Sequence, residues 1–320
     1  EAIEAVRTAA PDALVHIEKT ELEGIQYNSV QFDPGVATLL AHPFIFTARP
    51  ARDHVNGHAP DKLTTLLTLY DNAGEHFFPG ADTARAPGTQ HLARAQVLMF
   101  VFDPTQDVRF RQRLHGVSGD PQLSSGTRTT RQDQLLVEMA RRVRMHAGLA
   151  PQERIAKPLF VLLSKSDVWG PLLRDDDGSP LDVTTPPYER LNGGLGRMSL
   201  RRVDHVSARL RALLMELAPE IVAAAEDAFE RVIFVPVSAL GTSPVLDPGS
   251  GLLKVPVSRM APRWTTVPFL YTLARWSRHL IANDKGEQGT VPGTEDGEPD
   301  FGGIPDSMDA DVGGGTPHGA

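Results

Sequence analysis

The chain has 320 residues, a net charge of −8, 41% apolar and 22% charged residues, and no cysteine. That length suits one large α/β domain or two small ones, the balance is that of a globular protein, and disulfides and thiolate metal sites are excluded. No apolar run approaches the roughly eighteen residues that suggest a membrane span, and the short cluster Ala13 to Ile17, followed by Glu18 and Lys19, is no signal peptide.

Taken in order, Glu1–Ala10 reads as a short helix, and Asp12–Gly35 gives mixed signals that place no element. Pro43–Arg49 reads as a strand joined by a polar loop to Thr65–Tyr70, the two pairing as an antiparallel hairpin. Thr65–Tyr70 is continuously apolar or β-favouring, the pattern of a strand buried on both faces. After the Pro- and Gly-rich turn around Pro79, Gly80, Pro87 and Gly88, a short helix is expected over Thr89–Ala95, then a buried strand over Val97–Phe102 ending on Asp103. Arg111–Arg128, rich in Gly, Ser and Arg, reads as a mobile loop, and Thr130–Ala147 as an amphipathic helix.

Leu159–Leu163 is a third buried strand, and Trp169–Leu200 an irregular insertion. Asp204–Glu230 reads as a helix or bent pair broken near Pro219. Arg231–Val237 is a fourth buried strand, Gly241–Thr265 a loop and Val267–Ile281 a final helix. From Asp284 to Ala320 nine acidic residues stand against Lys285 alone, which accounts for the entire net charge. Residues 283–320 are therefore expected to be a disordered acidic tail, and residues 1–282 one formally neutral domain, which gives bulk electrostatics no hold on nucleic acid. Apolar strands alternating with helices predict a doubly wound, mostly parallel sheet with helices on both faces.

Ligands of an open α/β sheet bind beyond the C-terminal ends of its strands, and the polar residues collect there. Asp71 and Gly74 follow Thr65–Tyr70, Asp103 follows Val97–Phe102, Ser164-Lys165-Ser166-Asp167 follow Leu159–Leu163 and Ser238-Ala239-Leu240 follow Arg231–Val237. The order Asp-x-x-Gly, Asp, Ser-Lys-x-Asp, Ser-Ala-Leu resembles that of the translation-factor and Ras-like class of GTPase domains, over about residues 43–281. Tyr-Asp-x-x-Gly-Glu and the preceding Pro-Phe-x-Phe look most like the double-GTPase-type domains of larger bacterial proteins.

The resemblance implies GTP or GDP with Mg²⁺ as ligands, Asp71 as the carboxylate on the Mg²⁺ side through water, and Gly74 as sensor of the γ-phosphate. It implies Lys165 and Asp167 as readers of guanine, supported by Ser238 and Ala239. Glu75 falls where the family's water-orienting glutamine stands, with His76 beside it, and Thr20 and Thr47 are candidates for the switch threonine. A carboxylate accepts both the ring N–H and the amine of guanine, which adenine does not offer, and the Lys165 stem can lie over the base. Ser164 departs from the family's Asn or Thr. A GTP-hydrolysing regulatory switch in a larger, cytoplasmic bacterial protein, acting on a protein partner or adjacent domains, is the implied function.

The phosphate cradle of such proteins is Gly-x-x-x-x-Gly-Lys-Ser/Thr, and no Gly-Lys pair occurs in the 320 residues. Either the P-loop lies upstream or the lineage has lost it; the start at Glu1 rather than Met favours the first, and the chain as it stands is expected to bind guanine nucleotides weakly or not at all. Two other readings stay open: a pseudo-GTPase scaffold that binds partners and no nucleotide, and an unrelated hydrolase using Asp71 and Asp103 as a metal pair.

Overall fold

The computed structural model describes residues 10, 13–16, 27–33, 36–50, 63–72, 77, 89–124, 131–191, 194–277 and 280–285. The helix expected over Glu1–Ala10 and most of the acidic tail lie outside them.

The segment that gave mixed signals forms β1 (Leu14–Val15), β2 (Tyr27–Asp33) and β3 (Val36–Ala41), with β2 and β3 an antiparallel pair. The expected hairpin follows, β4 (Pro43–Ala48) pairing with β5 (Thr65–Tyr70) from Pro43↔Tyr70 to Ala48↔Thr65. Burial of β5 on both faces is not observed. Its exposure alternates, with Leu66 59% exposed, because it pairs with β4 alone in a two-stranded sheet. Only one face, through Leu67 and Ala48, packs on the core.

The centre is a parallel sheet of β6 (Leu98–Phe102), β7 (Leu159–Leu163) and β10 (Val232–Pro236), with β7 in the middle. α1 (His91–Arg94) precedes β6, and between β6 and β7 run α2 (Val108–Leu114), α3 (Pro121–Ser124) and α4 (Gln132–Ala147). Between β7 and β10 come α5 (Ser166–Trp169), the hairpin of β8 (Tyr188–Leu191) and β9 (Gly194–Met198), α6 (Leu200–Leu217) and α7 (Pro219–Ala228). The chain then forms β11 (Val245–Leu246), β12 (Leu253–Pro256), α8 (Val267–Trp276) and β13 (Ala282–Asn283).

Side chains alternate across a sheet, and the register sets which of them share a face. Phe102 meets Phe110 of α2 edge-on, with ring centroids 6.1 Å apart. Phe160 points the other way, with Tyr271 and Trp276 of α8 at 5.6 and 6.5 Å. The three parallel strands thus carry helices on both faces. The outer edge of β10 is closed by α6, whose Ser207 hydroxyl accepts the Phe234 N–H at 2.9 Å. Among the described residues β6 pairs with β7 alone, and Val101 is 60% exposed.

The expectation of a mostly parallel sheet holds for this centre only; the other strand pairs are antiparallel, apart from β13 with β9. Three expected loops carry regular structure. Arg111–Arg128 contains the end of α2 and all of α3, because Asp107 caps α2 by accepting the Arg109 and Phe110 N–H groups. Trp169–Leu200 holds the β8–β9 hairpin, and Gly241–Thr265 holds β11 paired with β12. The break expected at Pro219 separates α6 from α7, where proline occupies the first helical position. At the start of the segment expected to be tail, Asn283 is in β13, and Asp284 caps α6 by accepting the Leu200 and Arg201 N–H groups at 2.9 and 3.2 Å.

Candidate functional site

Parallel strands end on one side, so the loops after β6, β7 and β10 become neighbours. Those loops hold Asp103, then Ser164 to Asp167, then Ser238 and Ala239. Backbone bonds set their spacing. Ser164 N–H donates to Phe102 O at 2.9 Å, Val237 N–H to Leu163 O at 2.9 Å, and Ser166 N–H to Val237 O at 3.0 Å.

Side chains cross-link the loops. Lys165 has a left-handed backbone, φ 56° and ψ 42°, sparsely populated for a residue with a Cβ. Its ammonium donates to Asp103 Oδ2 at 2.8 Å, Thr105 Oγ1 at 3.0 Å and Gln122 Oε1 at 2.6 Å. An ammonium has three N–H donors, and each has an acceptor. Asp103 is engaged on both oxygens, since Oδ1 also accepts the Thr105 N–H and hydroxyl and Oδ2 the Gln106 amide. Its backbone is clamped by the Gln132 side chain, which accepts from Asp103 N–H at 2.7 Å and donates to Asp103 O at 3.0 Å.

On the other side the Ser238 hydroxyl donates to Asp167 Oδ1 and accepts the Gly241 N–H at 2.8 Å. Ser238 is buried and bridged to Arg263 by two backbone hydrogen bonds of 3.0 and 2.8 Å. Gly241 has φ +68°, and a Cβ there would fall 1.8 Å from Ala261 O, so only glycine fits. Ala239 is exposed at the same strand end. Ser164 uses its hydroxyl structurally, donating to Phe102 O at 3.1 Å. The Ser166 hydroxyl, between the two candidate base readers, is buried without a hydrogen-bond partner.

Of the residues expected at the site, the structure brings together Lys165, Asp167, Ser238 and Ala239. Asp71 is exposed at the end of β5, on the separate hairpin sheet. Gly74, Glu75, His76 and Thr20 lie outside the described residues, and Thr47 lies within β4. The Asp71–Asp103 metal pair is not supported: Asp103 holds a lysine ammonium and belongs to a different sheet. Asp175, Asp176 and His205 place ligand atoms within 4.8 Å of one another, but the Arg209 guanidinium already neutralises Asp176 at 2.5 Å.

Gln122, Thr105, Gln132 and Gly241 also belong to this site and are not among the residues expected from the sequence. Asp103-Pro104-Thr105 carried a usable signal, an Asx turn in which Asp103 accepts the N–H two residues on. Gln122 and Gln132 carried none, because only the fold brings them to strand ends distant in sequence.

Compared with known proteins, the chain matches no family model, no curated protein and no solved structure. Among the described residues no helix is long and apolar enough to cross a membrane.

Proposed function

We propose that the ends of β6, β7 and β10 form the base site of a guanine-nucleotide-binding domain, a regulatory GTPase-like switch within a larger protein. The observation that carries this reading is the Asp167–Ser238 pair: a carboxylate fixed by a hydroxyl from the neighbouring strand end, two residues after a left-handed lysine. The acceptor suits guanine. The bond from Ser238 sets the carboxylate plane, so Asp167 can accept from the ring N–H and the exocyclic amine together. Lys165, held at its tip, offers its methylene stem as an apolar wall for the base. Ala239, small and exposed beside Ser238, leaves room at the base edge.

GTP and Mg²⁺ would supply the phosphoryl-transfer chemistry when bound, and Asp71, exposed at the end of β5, is the carboxylate that would face the metal. The chain's own contribution in this reading is recognition: Asp167 selects the base and Lys165 and Ser238 hold the selecting group in place. A second reading, a partner-binding scaffold without nucleotide, draws on the lack of any Gly-Lys pair in this sequence.

Inosine triphosphate separates the two, because it keeps the ring N–H of guanine and lacks the amine. Losing one hydrogen bond to a charged acceptor weakens binding about tenfold or more. The guanine reading expects inosine triphosphate to bind correspondingly less well than GTP, and equal binding of the two would contradict it.

A further inference from the structure

The insertion between β6 and α4 is stitched to the base-reading loop by one side chain. Gln122 belongs to α3, a single turn started by buried Asp120, which accepts the Gln122 N–H at 2.8 Å. Two side-chain hydrogen bonds reach this turn beside the packing of Leu123 on the core: Gln122 Oε1 receives the Lys165 ammonium at 2.6 Å, and Leu123 O receives Arg111 at 2.7 Å. Lys165 is thus shared between a strand-end carboxylate, Asp103, and an insertion, and its left-handed backbone makes that direction of the side chain possible.

We propose that Gln122 and Asp103 are positioning residues for Lys165, and that α3 is a lid latched over the base-reading loop by the Lys165 ammonium. The inference rests on the guanine reading for what the latch positions, and on the geometry alone for the latch itself. A lysine stem free at its tip samples many rotamers, and ordering it on binding costs free energy. With its three N–H groups fixed by Asp103, Thr105 and Gln122, the stem is ordered beforehand. Any purine has a flat face for that stem to cover, so the latch sets affinity and not the choice of base. The choice belongs to Asp167, which is held by Ser238 and not by the Lys165–Gln122 bond. Gln122 and Asp167 therefore divide the work at the site.

The test combines hydrogen exchange and nucleotide titration on the full 320-residue chain, using GTP and ATP as probes. Lys165→Met and Gln122→Leu are expected to speed amide exchange over residues 122–124 by about tenfold, the loss of one hydrogen bond to a charged group. Gln122→Glu, which retains an oxygen for the ammonium, is expected to keep the protection, and Asp167→Ala to leave it unchanged. Gln122→Leu is expected to weaken GTP and ATP by the same factor, leaving their ratio as in the wild type. Unchanged exchange in Lys165→Met beside normal GTP binding would overturn the latch alone. A GTP-to-ATP ratio altered by Gln122→Leu would overturn the division of roles. A wild type that binds neither nucleotide would overturn the guanine reading, and with it the role of Lys165 at a base, whatever the exchange shows.

Discussion

The Lys165 ammonium lies 2.8 Å from the Asp103 carboxylate, joining the loops that leave two adjacent parallel strands. The pair is partly open to solvent, with side-chain exposures of 31% and 15%, so its energy is that of a screened ion pair. A double-mutant cycle of Asp103→Asn and Lys165→Met is expected to give a coupling of roughly 0.5–1 kcal/mol at low salt. The coupling should shrink in concentrated salt, as screening requires.

Gly241 turns the loop that carries Ser238. Because a Cβ would collide with the backbone oxygen of Ala261 and φ is positive, Gly241→Ala is expected to cost on the order of 2 kcal/mol or more. Chemical denaturation checks the cost. The same variant should weaken the Ser238–Asp167 contact and therefore any base preference.

Asp284 links the end of the described chain to the start of α6. Burial opposes the charge of its carboxylate, but hydrogen bonds from Ser199, Arg201 and Leu200 outweigh it and hold the carboxyl below its ordinary range. The folded pKa lies below the unfolded one, so the stabilisation is complete above the unfolded value near ~3.9 and is lost as pH falls through the folded value. Asp284→Ala should cost about 1 kcal/mol near neutral pH, the worth of a helix cap, and the difference from wild type should fade on acidification. Urea midpoints across that range read it directly.

Arg142 is fully buried in α4. Its Nε donates to Glu138 at 2.8 Å and its guanidinium lies 5.2 Å from the Phe77 ring centroid, yet neither terminal nitrogen has a hydrogen-bond partner. Glu138 keeps Arg141 as a second partner and is held below the usual carboxylate range, first by the hydrogen bond from Arg141. Removing one partner of a buried ion pair is costly when the other charge is left unpaired, whereas exchanging buried charge for apolar packing is often neutral or stabilising; here Glu138 keeps Arg141 and is not left unpaired. Arg142→Met is therefore expected to leave stability unchanged or raise it by about 1 kcal/mol, and a marked drop in melting temperature would contradict this view of the residue.

Phe160 shows what was legible in the sequence. It sits in Leu159–Leu163, a continuous apolar run that identified a buried strand, and the structure buries it between Tyr271 and Trp276. Strand β6, the β4–β5 hairpin and the α6–α7 break were legible for the same local reasons: apolar runs, a turn and a proline. The two-faced burial expected of β5 was not, because burial depends on which strand arrives beside it. Lys165, Asp167 and Ser238 could be placed at strand ends, but the Lys165 acceptors Thr105 and Gln122 lie about sixty and forty residues away in sequence, joined only by tertiary packing. No periodicity or spacing encodes that.

Saturation-transfer NMR with GTP and ATP in the presence of Mg²⁺, on the wild type and on Asp167→Ala, tests the central claim most directly, since it reads weak binding. The account predicts transfer to GTP in clear preference to ATP in the wild type, and loss of that preference in Asp167→Ala. Equal transfer to both nucleotides in the wild type, or to neither, would contradict a guanine site at the ends of β7 and β10.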